Sequence, residues 1–341
     1  MSAFRREMLG LWAGCVCGLL VQASSPSAAP PPLPLQQIAH YPGAPGKPIE
    51  DKVSLGTAQV LDQLLRINLQ FGQNVRPRTP ALDHPLIERV RTVLRTLPAE
   101  VHRIASDYVL AVFLVEQDAA TGAADFVQDS GGRWHYSLLM FNLTALTRTA
   151  NAWASWKENS AFRQLPGFRI AVTIEPPEQD TVDQAIQFIV LHELGHALAV
   201  AREVHEVPPL AGPLARGSPF IAQSWQPGPK SALVSRFAGR FPKLDRAGFY
   251  RFEEAPLRLA DAEAVYRALA ETDLPSYYGL ASYYDDFAET FAIYVHTRML
   301  GKPYKVDIYE HETLRYTYTS CIVANTCPQK VRALEAVLKL K

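Results

Sequence analysis

An excess of charge of either sign is missing from this chain. Its 341 residues carry 34 basic and 34 acidic side chains, a formal net charge of zero, with no block of like charge. A surface built for nucleic acid or an anionic membrane needs a basic excess or patch, so neither is expected as a partner. Cysteine is also scarce, with four residues at positions 15, 17, 321 and 327. No internal repeat is present, which leaves out solenoid architectures. Long apolar runs are absent outside the first thirty residues. What remains is ordinary for a soluble protein with a full core: 48% hydrophobic, 20% charged, and long enough for one large domain or two.

The N-terminus differs from the rest. Arg5 and Arg6 precede an uncharged, mostly apolar run, followed by small residues and a proline-rich stretch. This is the layout of a secretory signal over residues 1–23, with Val21-Gln22-Ala23 as a cleavage site. The run is short and broken by glycine, so stable membrane insertion is not expected. The Arg5-Arg6 pair also fits twin-arginine export, and the residues before Cys15 faintly fit a lipoprotein signal; the Sec-type reading is simpler. Export to a periplasmic or extracellular space suits the cysteines. Cys15 and Cys17 leave with the signal, and Cys321 and Cys327 are expected to form one short-loop disulfide.

Residues 24–85 form a proline-rich N-terminal segment, expected to be an extended tether over 26–48 with a helix over 52–71. A domain follows from 86 to 341. Its pattern predicts a helix over 85–97, strands over 107–116, 135–143 and 168–175, then mainly helices, over 183–200, 260–271, 283–300 and 329–341. Strands first and helices later imply an α+β fold.

The chemistry centres on His192-Glu193-Leu194-Gly195-His196. Thr181, with Gln184 three residues on, gives a capping-box start to the helix that carries it. Two histidines four apart share a helical face and can present both imidazoles to one ion, while Glu193 reaches beside it. Phe188, Ile189, Val190, Leu191, Leu194, Ala197 and Leu198 make this helix apolar nearly all round. Burying three polar side chains there unpartnered costs several kcal/mol, roughly, and one Zn2+ supplies the compensation. Gly195 leaves room for a neighbouring backbone.

A catalytic zinc needs a third protein ligand. A histidine six residues after His196 would serve, but that position is Arg202; His205 is out of register and reads as a surface residue. A carboxylate from a later helix is the other solution. Asp285 and Glu289 are four apart and share a face, with Ala288 and Ala292 leaving room for close packing. Either can be the ligand, and Ser282 before Asp285 also allows a capping role. Asp286 is expected to point to solvent.

The motif followed by an acidic-x-x-Ala-acidic helix resembles zincin metallopeptidases of the gluzincin type. The nearer likeness is to the catalytic domain of anthrax lethal factor and to the secreted Pro-Pro endopeptidases. The resemblance covers about forty residues in two blocks. It implies a zincin-like fold, with a mixed sheet, an active-site helix and a second helix carrying the acidic ligand. It also implies Asp285 as zinc ligand, Glu289 supporting a ligand histidine, and Tyr278, before Gly279, as an oxyanion donor. Aspartate stands where that family has glutamate, so the second helix must approach closer or Glu289 must reach in.

The function expected is an exported zinc-dependent endopeptidase acting on a peptide or protein substrate, with Glu193 as general base. A hydrolase of cell-wall peptide or another non-protein substrate would use the same site. A non-proteolytic binding module would have no need of Glu193. The strand Arg169–Ile174 is expected to border the cleft and pair with extended substrate.

Overall fold

The computed structural model describes residues 33–70, 72–208, 211–229, 232–241 and 247–339. The expected signal, with its arginine pair, Cys15, Cys17 and Val21–Ala23, lies outside the described residues.

The strands are β1 (Val53–Leu55), β2 (Val109–Val115), β3 (Gly122–Gln128), β4 (Trp134–Asn142), β5 (Phe168–Thr173), β6 (Trp225–Pro227), β7 (Leu233–Ser235), β8 (Lys305–Glu310) and β9 (Thr313–Thr319). The helices are α1 (Ala58–Gln70), α2 (Leu86–Arg95), α3 (Ala99–Tyr108), α4 (Ala150–Asn159), α5 (Val182–Ala201), α6 (Pro213–Gly217), α7 (Ile221–Ser224), α8 (Ala262–Ala270), α9 (Tyr283–Tyr294), α10 (Cys321–Ala324) and α11 (Pro328–Lys339). This is a mixed α+β architecture. Among the described residues no helix is long and apolar enough to cross a membrane.

The main sheet has the order β1-β2-β4-β3. The first three strands run parallel and β3 closes one edge antiparallel to β4. All seven residues of β2 are buried, because helices and the N-terminal segment cover both faces; hence its unbroken apolar run. One face packs on α5, and α9 lies against the far side of that helix. Gly195 makes this approach possible: a Cβ there would sit 2.6 Å from the Ala288 Cα. A second, antiparallel sheet, β5-β8-β9, lies beyond α4.

Two expectations about the N-terminal segment are corrected. Residues 33–48 fold as two short 3-10 helices (Pro34–Gln36 and Ile38–His40) followed by turns instead of an extended tether, since Leu35 is buried against Val60, Leu64, Phe113 and Leu138 on the outer face of the sheet. The helix expected over 52–71 starts only at Ala58, because Val53–Leu55 pairs with β2 as a fourth strand. Strand β1, from the N-terminal segment, thus belongs to the same sheet as the strands that follow residue 85. β3 and α4 were not legible, the first because Gly122, Ala123 and Ala124 blur its alternation.

Candidate metal centre

Helix α5 opens at the expected cap, with the Thr181 hydroxyl accepting from the Gln184 amide at 3.4 Å, but the capping box does not close because Gln184 Oε1 accepts from the Lys302 ammonium; the helix is buried from Ala185 to its end. Its two histidines face each other, Nε2 to Nε2, at 3.1 Å. Helix α9 brings Oδ1 of Asp285 to 3.7 Å from the His196 Nε2. One ligand atom from each of His192, His196 and Asp285 lies within 4.8 Å of the others. Zn–N bonds of about 2.05 Å at a tetrahedral angle separate two nitrogens by about 3.3 Å, so the imidazole pair fits such an ion.

Asp285 is divided between two tasks. Its Oδ2 accepts from the Ser282 hydroxyl at 2.5 Å while the Asp285 amide donates to the Ser282 Oγ at 3.0 Å, the helix-capping arrangement. Its Oδ1 is buried with no hydrogen-bond partner and faces the histidines. An orphaned buried carboxylate oxygen beside two imidazole nitrogens is a donor set that could hold a cation. Burial pushes the Asp285 carboxyl up to about 6, against the pull of His192 and the Ser282 bond.

Glu289, one turn further on, sits behind His192 instead of beside the ligand atoms. Its Oε1 lies 2.9 Å from the His192 Nδ1 and accepts from the Lys157 ammonium at 2.9 Å; Oε2 accepts from the Ser276 hydroxyl at 2.6 Å. Burial alone would raise its pKa, but Lys157 and the His192 contact outweigh it and hold the carboxyl well below its ordinary range. The contact fixes which His192 nitrogen faces the ligand cluster, a role common behind metal-bound histidines.

Lys157 comes from α4 and was not found in the sequence, where it lies 132 residues from Glu289 with no local pattern to mark it. It is buried and its ammonium stands 4.2 Å from the centre of the Tyr278 ring. That ring in turn lies 5.5 Å from His192. The Tyr278-Gly279 segment precedes α9 as a 3-10 turn and so shares the position of the acidic helix.

Glu193 leans the other way, toward the edge strand. A Cβ on Gly122 would fall 2.9 Å from the Glu193 Oε1, so β3 touches the carboxylate where only glycine fits without displacing it. Burial pushes Glu193 up to about 7, partly opposed by His192. Among the described residues nothing hydrogen-bonds this carboxylate.

Three expectations change. The strand Arg169–Ile174 does not offer a free edge: beyond β8, its outward amides donate to α4 side chains, Ile170 to Asn159, Val172 to Ser155 and Ile174 to Asn151. Asp286 is not solvated; it is fully buried, taking the Lys330 ammonium at 2.7 and 2.8 Å and the Trp225 indole N–H at 3.0 Å. His205 is buried, not superficial, with Nδ1 on the Glu206 carbonyl at 2.6 Å and its ring against Tyr283. Cys321 and Cys327 are joined as a disulfide across the turn between β9 and α11.

No protein-family model matches the chain, and neither a curated protein nor a solved structure is found similar to it.

Proposed function

We propose that the chain is an exported zinc-dependent endopeptidase with a zincin-like fold. The observation that carries the reading is the convergence of His192, His196 and the orphaned Asp285 oxygen, with Glu193 unbonded beside them. His192, His196 and Asp285 would hold the ion, and a zinc bound there supplies a Lewis acid for the peptide carbonyl and acidifies a water. Glu193 takes the proton from that water and passes it to the leaving nitrogen. Tyr278 donates to the oxygen on which charge develops; the Lys157 ammonium over its ring favours that donor role.

Extended substrate adds to β3, not to β5. The edge of β3 beside Glu193 is formed by Gly122, and among the described residues its outer edge meets another backbone only at Gln128, which bridges Gln37. Export is supported by the N-terminal charged-apolar-small layout together with the Cys321–Cys327 disulfide.

The test is cleavage of casein and of solubilised cell wall by purified mature protein, with zinc content measured in parallel. Casein cleavage lost on chelation, restored by zinc and absent in Glu193→Gln is the expected result. Cleavage of cell wall alone moves the substrate class; no zinc after reconstitution ends the reading.

A further inference from the structure

Beside Tyr278 stands a second tyrosine that no motif marks. Tyr250 lies between β7 and α8, in a segment without regular structure, and is buried to 7% exposure. Its ring centre is 6.4 Å from that of Tyr278 and 5.5 Å from that of Trp156.

Its backbone is held in an uncommon conformation. Tyr250 has φ +60° and Phe252 φ +44°, values that bulky residues rarely adopt. Ser160, at the end of α4, enforces both. The Ser160 hydroxyl accepts the Tyr250 amide at 2.8 Å, and its carbonyl accepts the amides of Arg251 and Phe252 at 3.0 and 2.9 Å. That same hydroxyl donates to the Lys157 carbonyl at 2.5 Å. The strained loop is thus tied to the helix that positions Glu289. Strain kept by three converging bonds next to a candidate active site marks a side chain placed for a task.

The ring of Tyr250 lies beside Tyr278, which in turn lies against His192. Burial, with the carboxylates of Glu289, Glu158, Glu193 and Asp285 in its field, holds the Tyr250 phenol well above its ordinary range, so it stays a proton donor. Among the described residues its hydroxyl has no hydrogen-bond partner. A buried ring that only filled space would do so equally well as phenylalanine.

We propose that Tyr250 is a second hydrogen-bond donor to bound substrate, acting with Tyr278 on the carbonyl oxygen of the scissile peptide. The inference rests on the peptidase reading. No covalent step is involved: the phenolic proton is shared with the oxygen as charge develops and is kept afterwards. Such a donor raises kcat more than it lowers KM.

The experiment compares wild-type holoenzyme with Tyr250→Phe. Expected are an unchanged zinc content, an unchanged Tm of the metal-free protein, a KM within about twofold, and kcat lower by about 10²-fold. Affinity for a phosphinic peptide, which mimics the tetrahedral oxygen, falls by a similar factor while affinity for a product peptide holds. Wild-type kcat and phosphinate affinity in Tyr250→Phe would overturn the proposal and leave the ring as filler. A Tm loss in the metal-free variant that accounts for the activity loss would overturn it too, in favour of a structural role. If wild type itself cleaves no peptide with zinc bound, the peptidase reading fails first and takes this inference with it.

Discussion

The Nδ1 atom of His192 and Oε1 of Glu289 lie 2.9 Å apart, so an acid one turn beyond Asp285 on α9 backs the first histidine of α5. The first acid, Asp285, then has the ligand side to itself. Asp285→Ala is expected to abolish stoichiometric zinc, whereas Glu289→Gln keeps one zinc per chain with affinity weaker by about 10–100-fold. Zinc content and competition with a chelator measure both. Zinc retained in Asp285→Ala but lost in Glu289→Gln would reverse the two roles.

Lys157 is the counter-charge for Glu289, and both are buried. Removing one member of such a pair leaves the other uncompensated, a loss of about 3–5 kcal/mol. Lys157→Met should therefore destabilise the metal-free protein by that amount in urea denaturation. Lys157→Met combined with Glu289→Gln should recover much of it. Equal destabilisation in the single and double variants would mean that Lys157 contributes packing and not charge.

Much of this centre was legible because helical spacing is a local property. His192, His196, Asp285 and Glu289 each sit one turn from a partner, and a period of 3.6 puts them on shared faces without knowledge of the fold. The capped start at Thr181 and the strand before it were readable for the same reason. Lys157, Ser276 and Gly122 were not, since their roles exist only after α4, α9 and β3 are packed together. Asp286 shows the limit in reverse. Its helical angle relative to Asp285 suggested solvent, but α11 returns from the C-terminus and covers that face with Lys330. The N-terminal segment misled through composition: proline argues against helix, yet it does not prevent Leu35 from docking on an exposed sheet face.

Gly122 and Glu193 provide a test of position rather than identity. An alanine Cβ at 122 would lie 2.9 Å from a carboxylate oxygen at the end of a flexible side chain, so the chain gives way and the fold survives. The cost falls on Glu193, the proposed general base. Displacing a reacting group by about 1 Å costs about 10²-fold in rate, so Gly122→Ala should keep its Tm and zinc while kcat falls by that factor. An unchanged kcat would show that Glu193 works from another position.

His205 and His296 are both buried, and burial pushes each imidazole down to about 4 from its ordinary 6.5. They stay neutral in the folded chain, whereas the unfolded chain takes up protons as the pH falls through 6.5. Their contribution to stability is therefore complete above that pH and is lost as the pH approaches 4. Each accounts for about 3 kcal/mol across this window, from 1.36 kcal/mol per pKa unit. In the metal-free protein Glu193 and Asp285 are pushed up to about 7 and about 6, so they gain stability on acidification and mask part of the loss. The difference between wild type and His205→Gln removes that masking, because both carboxylates are present in each. Urea denaturation at pH 7 and pH 4 should show His205→Gln gaining about 3 kcal/mol relative to wild type at the lower pH. A pH-independent difference would mean that His205 takes up its proton as readily in the folded chain as in the unfolded one, and that burial does not hold it neutral.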